Sequence, residues 1–187
     1  MANKIQYGLR NIHIFPITDE LSTETSYETP FPLPGAVNLN LEADGEEFPF
    51  YADDIVYFNE FSNNGYSGDL EVALINEDFE TKILGIIKDT NGALLESADG
   101  KTKKFAMVFE IQGDESATRH ILYNVSVSRP GATHGTKGAS TEPKTSVMSL
   151  RAVARPSDML IKAKITMGST GYDTAFTEVY EPVITGA

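Results

Sequence analysis

The chain has 187 residues, 41% hydrophobic and 22% charged, a balance that supports one folded domain with its own core and argues against wholesale disorder. It has no cysteine, which excludes a disulfide scaffold, a thiolate zinc site and a cysteine nucleophile and suits folding in a reducing cytoplasm. The net charge is −12, unevenly placed: residues 1–80 hold 16 acidic side chains against Lys4 and Arg10, a net −14, whereas residues 81–187 hold 11 acidic and 13 basic ones, a net +2. An acidic surface repels DNA phosphates, so tight nucleic-acid binding is not expected. An acidic half beside a mixed half suits head-to-tail packing of identical copies, and equally a surface kept soluble by self-repulsion.

The N-terminus "MANKIQYGLRNIHIF" has no apolar core of an export signal, and no apolar run reaches the roughly 20 residues of a membrane span, so no membrane association is expected. Segment 18–35, "TDELSTETSYETPFPLPG", is polar and then proline-rich and reads as irregular. A period of two follows. "AVNLNLE" sets Val37, Leu39 and Leu41 on one face, and "GDLEVALI" does so with Leu70, Val72 and Leu74. Between them lies "FYADDIVYF", in which Asp53 and Asp54 are fenced by Phe50, Tyr51, Tyr57 and Phe58. Paired carboxylates in apolar company raise the prospect of a hydrolase. Neighbouring strand residues point to opposite faces, however, so the two do not converge on one substrate. The favoured reading is a strand start, with one Asp solvated and the other bonded to local backbone.

"NEDFETKILG" predicts one short helix over about 76–84, capped by Asn76, with Phe79 and Ile83 on one face and Gly85 closing it. Asn91-Gly92 predicts a type I′ turn. "KKFAMVFEIQ" (Phe105, Met107, Phe109 and Ile111 on one side) and "RHILYNVSVS" (Ile121, Tyr123, Val125 and Val127 on one side) predict a hairpin of 103–111 with 119–128. Segment 129–143, "RPGATHGTKGASTEP", reads as a loop or arm, and its Arg129, His134 and Lys137 join Asp53 and Asp54 as candidate assembly contacts. "LIKAKITM" alternates Ile161, Ala163, Ile165 and Met167 with polar residues, "TMGSTGYD" turns, and "TAFTEVY" predicts a last strand.

No motif carries a recognisable chemistry. His13, His120 and His134 lie in separate segments without metal-site spacing, and "GATHGTKGAS" lacks the order of a phosphate loop, so neither cofactor nor metal is expected. Asn124-Val125-Ser126 matches a glycosylation sequon inside a predicted strand.

The order "NKIQYGLRNIH", "LPGAVNLNLE", "GEEFPFYADDIVYF", "NNGYSGDLEVALI", "KKFAMVFEIQGD", "TRHILYNVSVSRP" and "EPKTSVMSLRAVARP" resembles the major tail protein family of long, flexible-tailed phages and prophages of Gram-positive bacteria. The likeness spans nearly the whole chain; residues 50–58, 65–74 and 119–130 carry it best, and the part after Met167 carries it least. The resemblance implies a single mainly β domain over 1–187, an antiparallel sandwich or barrel with one flanking helix. It also implies no enzymatic activity and self-assembly into rings, usually hexameric, that stack into a DNA-conducting tail tube. The further implied partners are the tape measure protein and the tail terminator and distal tail proteins, with DNA only in passage. The implied location is the virion tail, after synthesis in the bacterial cytoplasm, and segments 18–35 and 129–143 would serve as assembly arms. Two other readings compete: a β-sandwich carbohydrate-binding or adhesin module, which would be expected to show tryptophan platforms that this Trp-free chain lacks, and a jelly-roll hydrolase using Asp53 or Asp54.

Overall fold

A computed structural model of the chain describes residues 7–21, 23–132, 136 and 144–183. As expected, the protein is mainly antiparallel β with one short helix. Thirteen strands are formed among the described residues: β1 (Leu9–Glu20), β2 (Thr25–Tyr27), β3 (Phe31–Pro32), β4 (Ala36–Asp44), β5 (Glu47–Ala52), β6 (Ile55–Phe61), β7 (Gly65–Val72), β8 (Ile87–Lys88), β9 (Leu94–Leu95), β10 (Phe105–Ile111), β11 (Arg119–Val127), β12 (Ser146–Val153) and β13 (Lys162–Ile165); α1 is Glu77–Lys82. Nine strands make one sheet in the order β2-β1-β10-β11-β12-β7-β4, with β13 beside β11 and β3 beside β1. The pairs β5-β6 and β8-β9 stand as separate two-stranded sheets.

The sheet is covered on both faces. On one face, Ile12, Ile14, Leu70, Phe105, Met107, Val125 and Met148 pack with Phe79 and Ile83 of the helical segment. On the other, Phe15, Ala106, Val108, Ile121 and Tyr123 meet Ile165, Tyr172 and Ala175. β10 is therefore buried on both sides, which explains why "FAMVFEI" is a nearly continuous apolar run.

α1 forms as its capping signals dictate. The Asn76 carboxamide oxygen accepts from the Phe79 N–H (3.0 Å), Glu77, Asp78 and Glu80 occupy the positive end, and Gly85 takes φ +73° at the exit. Phe79 meets Phe105 edge-on at 5.8 Å between ring centroids, which docks a helix too short to persist alone.

Several expectations are corrected. Segment 18–35 is not irregular throughout: it completes β1 and folds back as β2 and β3 against it, burying Phe31 and Leu33 in the core. In β11 a bulge sets Tyr123 and Asn124 opposite the single residue Ala106, so Ile121 and Tyr123 face one core while Val125 and Val127 face the other. β7 ends at Val72 and leaves Leu74 exposed, Val37 turns outward beside a register shift in β4, and Met167 is exposed beyond β13.

At Asn91-Gly92 only the glycine takes positive φ (87°), so the turn is not type I′. The Asp89 carboxylate closes it instead, accepting from the N–H groups of Asn91 (2.9 Å) and Ala93 (2.7 Å). "TAFTEVY" is not a strand. Residues 169–178 form successive turns, with the Ala175 N–H donating to the Tyr172 carbonyl (3.3 Å) and the Glu178 N–H to that of Thr174 (2.8 Å). Those turns lay Tyr172, Ala175, Phe176, Val179 and Tyr180 over the second core. Arg155, 2% exposed, fastens this segment. It bonds Asp158 and Glu181 and sits 4.3 Å from the Tyr123 ring centroid.

A candidate assembly interface

β5 and β6 form a hairpin that leaves the sheet between β4 and β7 and packs extensively on no other element. Its root is tightly built. Ser62 and Asn64 donate backbone N–H groups to the carbonyls of Glu46 (2.9 Å) and Asp44 (2.8 Å), and Arg151 pairs with Asp44 at 2.7 Å. Two glycines mark the way out and the way back. A Cβ on Gly45 would stand 2.2 Å from the Ser62 carbonyl oxygen, and one on Gly65, at φ +107°, 2.1 Å from that of Ala152.

Asp53 and Asp54 are the two residues of the hairpin turn, closed by the pair Ala52–Ile55. Their φ values of 51° and 61° are the paired left-handed conformations of a type I′ turn, which aspartate adopts more readily than most side chains. The expectation of neighbouring strand residues on opposite faces gives way to two adjacent carboxylates at an exposed tip, and the stretch leads away from the core rather than into it.

Along the strands, Phe50 pairs with Phe58 and Phe48 with Glu60, while Tyr51 pairs with Val56 on the opposite face and Glu47 with Phe61; Tyr57 is the extra residue of a bulge. Both faces are therefore apolar. Eight large apolar side chains, Phe48, Phe50, Tyr51, Ile55, Val56, Tyr57, Phe58 and Phe61, are exposed, the last 70% so. Isolated two-stranded hairpins are marginal in water, and contiguous apolar patches of this kind mark interaction surfaces. The hairpin is also acidic, through Glu47, Asp53, Asp54 and Glu60, and no Lys or Arg occurs between Arg10 and Lys82.

The other sequence candidates are scattered. Arg129 is held within the fold, paired with Glu96 and donating to the Gly100 carbonyl (3.0 Å), which fastens the loop after β9. His134 and Lys137 lie outside the described residues, as does most of segment 129–143. His13 lies 4.6 Å from the Phe176 ring, and His120 stacks on Phe109 at 5.1 Å. Burial, with Lys164 and Lys162 nearby and Asp114 opposing them, holds the His120 pKa below its usual value. Asn124 of the sequon is 2% exposed, its amide turned to Glu20 and to the Ala154 carbonyl, so in the folded chain it offers no glycan acceptor.

What sequence reasoning missed is the hairpin as a whole. Its signal was present: two apolar runs separated by two residues able to take positive φ. Among the described residues no group of three or more His, Asp or Glu side chains is placed to hold a metal ion, and no helix is long and apolar enough to cross a membrane. No protein-family model matches the chain, and comparison with curated proteins returns no match.

Proposed function

We propose that the chain is a structural subunit that assembles with copies of itself, and that the assembly is a phage tail tube. The observation that carries self-assembly is the β5–β6 hairpin, apolar on both faces, marginal on its own, and projecting from a fully packed domain. A strand pair of that composition is built to be covered on both sides. The tube, its hexameric stacked rings, and the tape measure, tail terminator and distal tail proteins as partners rest on the resemblance of the sequence to major tail proteins. The acidic stretch from Ala36 to Val72, without one basic residue, supports a channel wall that DNA slides past rather than adheres to. On this reading the subunit catalyses no reaction, is made in the bacterial cytoplasm and ends in the virion tail.

Electron microscopy of concentrated protein tests the reading. The wild type is expected to form rings or tubes, and Phe50→Glu/Phe58→Glu to remain a folded monomer. A wild type that stays monomeric at high concentration overturns self-assembly. A second reading is favoured by Tyr51 and Tyr57, exposed aromatics of the kind that carbohydrate-binding modules stack on sugars. It would be supported by a persistent monomer that binds a glycan and loses it on Tyr57→Ala.

A further inference from the structure

The hairpin needs an acceptor, and the same chain carries a surface of matching chemistry. A groove of about 470 Å³ opens between β4 and the β10–β11 pair, lined by Leu39, Leu41, Phe109, Ile111 and His120, with the outward-turned Val37 at its side. Its floor is apolar and its rim is basic. β13 pairs with β11 in a register that sets Lys164 opposite His120 and Lys162 opposite Leu122. Directly opposed residues of an antiparallel pair share a face, so both lysines stand on the groove side of the sheet. Lys162 bonds the Tyr66 hydroxyl and lies 4.0 Å from that ring, and Lys164 is exposed with no ion-pair partner among the described residues.

We propose that this groove receives the β5–β6 hairpin of a second copy of the chain, with one aromatic face of the hairpin against Leu39, Leu41, Phe109 and Ile111, and the Asp53–Asp54 tip against Lys164 and Lys162. The proposal rests on the self-assembly reading and names the acceptor within it. Three observations select this occupant. The hairpin is unpartnered and apolar, and it is present at the same concentration as the groove because both belong to one sequence. It carries four carboxylates and no cation, whereas the groove is edged by two lysines, of which Lys164 has no ion-pair partner among the described residues. The apolar side chains of the lining, Leu9, Val37, Leu39, Leu41, Phe109 and Ile111, come from β1, β4 and β10 and offer an extended strip that the aromatic face of a hairpin can cover. Donor and acceptor are different patches, so the contact is heterologous and repeats from copy to copy, closing into a ring or extending into a file according to the rotation it imposes. One face of the hairpin enters the groove and the other stays available to a further copy.

The absence of cysteine in the wild type makes a clean cross-linking test possible. Asp54→Cys and Lys164→Cys are combined in one chain, both at exposed positions, and the assembled protein is treated with a short bis-maleimide. The expected result is a ladder of covalent multiples that each single-cysteine chain fails to give beyond a dimer, and that Asp54→Cys/Asn91→Cys does not give. Independently, Lys164→Glu is expected to raise the concentration needed for assembly about three- to tenfold, and Asp54→Lys in the same chain to bring it back. Rings or tubes that form normally, give no ladder and ignore Lys164→Glu would overturn the groove while leaving self-assembly intact. A cross-link confined to the monomer would show the hairpin folding onto its own groove and would also overturn the proposal. If the wild type forms no assembly at all, the groove and the self-assembly reading fail together.

Discussion

Two antiparallel hairpins in this molecule have nearly the same composition and opposite surroundings. β10–β11 is apolar on both faces and sits at the centre of the sheet, with Phe105, Met107 and Val125 in one core and Ala106, Val108 and Ile121 in the other. β5–β6 is also apolar on both faces, and water surrounds it. A strand pattern tells how many of its sides are meant to be covered; it does not tell whether the cover comes from the same chain. For β10–β11 the covering side chains lie between Leu9 and Tyr180 of the same chain. For β5–β6 the described residues supply no such cover, and on the proposed reading it comes from another copy.

The contrast can be broken first by truncation. Phe105→Ala in the buried hairpin should cost about 3–5 kcal/mol of monomer stability, read from chemical denaturation. Phe58→Ala in the exposed one should change it by less than about 0.5 kcal/mol while abolishing assembly. Comparable losses in both would mean that the exposed hairpin packs on its own domain after all. Next in size is the buried cation that fastens the C-terminal turns. Arg155→Met removes the partner of Asp158 and Glu181, and since both carboxylates reach solvent the cost should fall near 3 kcal/mol, with the hairpin and its assembly otherwise unaffected.

The response to acid should follow the packed part of the molecule alone. The His120 pKa is lowered by burial, so the neutral ring is the form that fits the fold. Its contribution is complete above the unfolded value of about 6.5 and is lost as pH falls through the lower folded value. The hydrogen bonds from Arg155 likewise lower the Asp158 pKa, giving a contribution present above about pH 4 that disappears as pH falls further. Melting temperature should therefore decline from pH 7 downward, and His120→Gln should flatten the upper part of that decline. A wild type and a His120→Gln variant with parallel profiles would remove His120 from the account. The smallest effect belongs to the tip. Asp53→Asn/Asp54→Gly keeps the type I′ geometry, and changing Asp54 to glycine should relieve a few tenths of a kcal/mol of left-handed strain while weakening assembly and its salt dependence. Stronger assembly from this variant would show the carboxylates to be repulsive rather than attractive.

The parts of the fold that were legible in the sequence are those where local chemistry and burial agree. Phe105–Ile111 alternates between two apolar environments, Asn76 has a side chain that caps, and Gly85 takes the left-handed exit, so β10 and α1 stood where expected. The bulge in β11 left no mark, because "ILYNVSV" reads as unbroken alternation whether or not Tyr123 and Asn124 share one partner. Residues 174–180 were read as a strand although Tyr172, Ala175, Phe176, Val179 and Tyr180 recur mostly every three or four, the spacing of turns. β2 and β3, three and two residues long, are set by the edge of β1 rather than by their own propensity. In the exposed hairpin, Asp53 and Asp54 were singled out for their charge, whereas the structure uses them first for their backbone. The aromatics beside them were assigned to a packed strand, whereas they are exposed, because a single sequence does not say which of its apolar strands its own core covers.

The bulge at Tyr123–Asn124 has a mechanical meaning. By shifting the register once, it makes β11 a party wall, its first half lining one apolar layer and its second half the other. Neither layer can loosen without moving a strand that the other depends on. A pull on the projecting hairpin enters through β4 and β7, whose backbone ladders run on into β12 and β11, so both layers should share the load rather than a single sheet face.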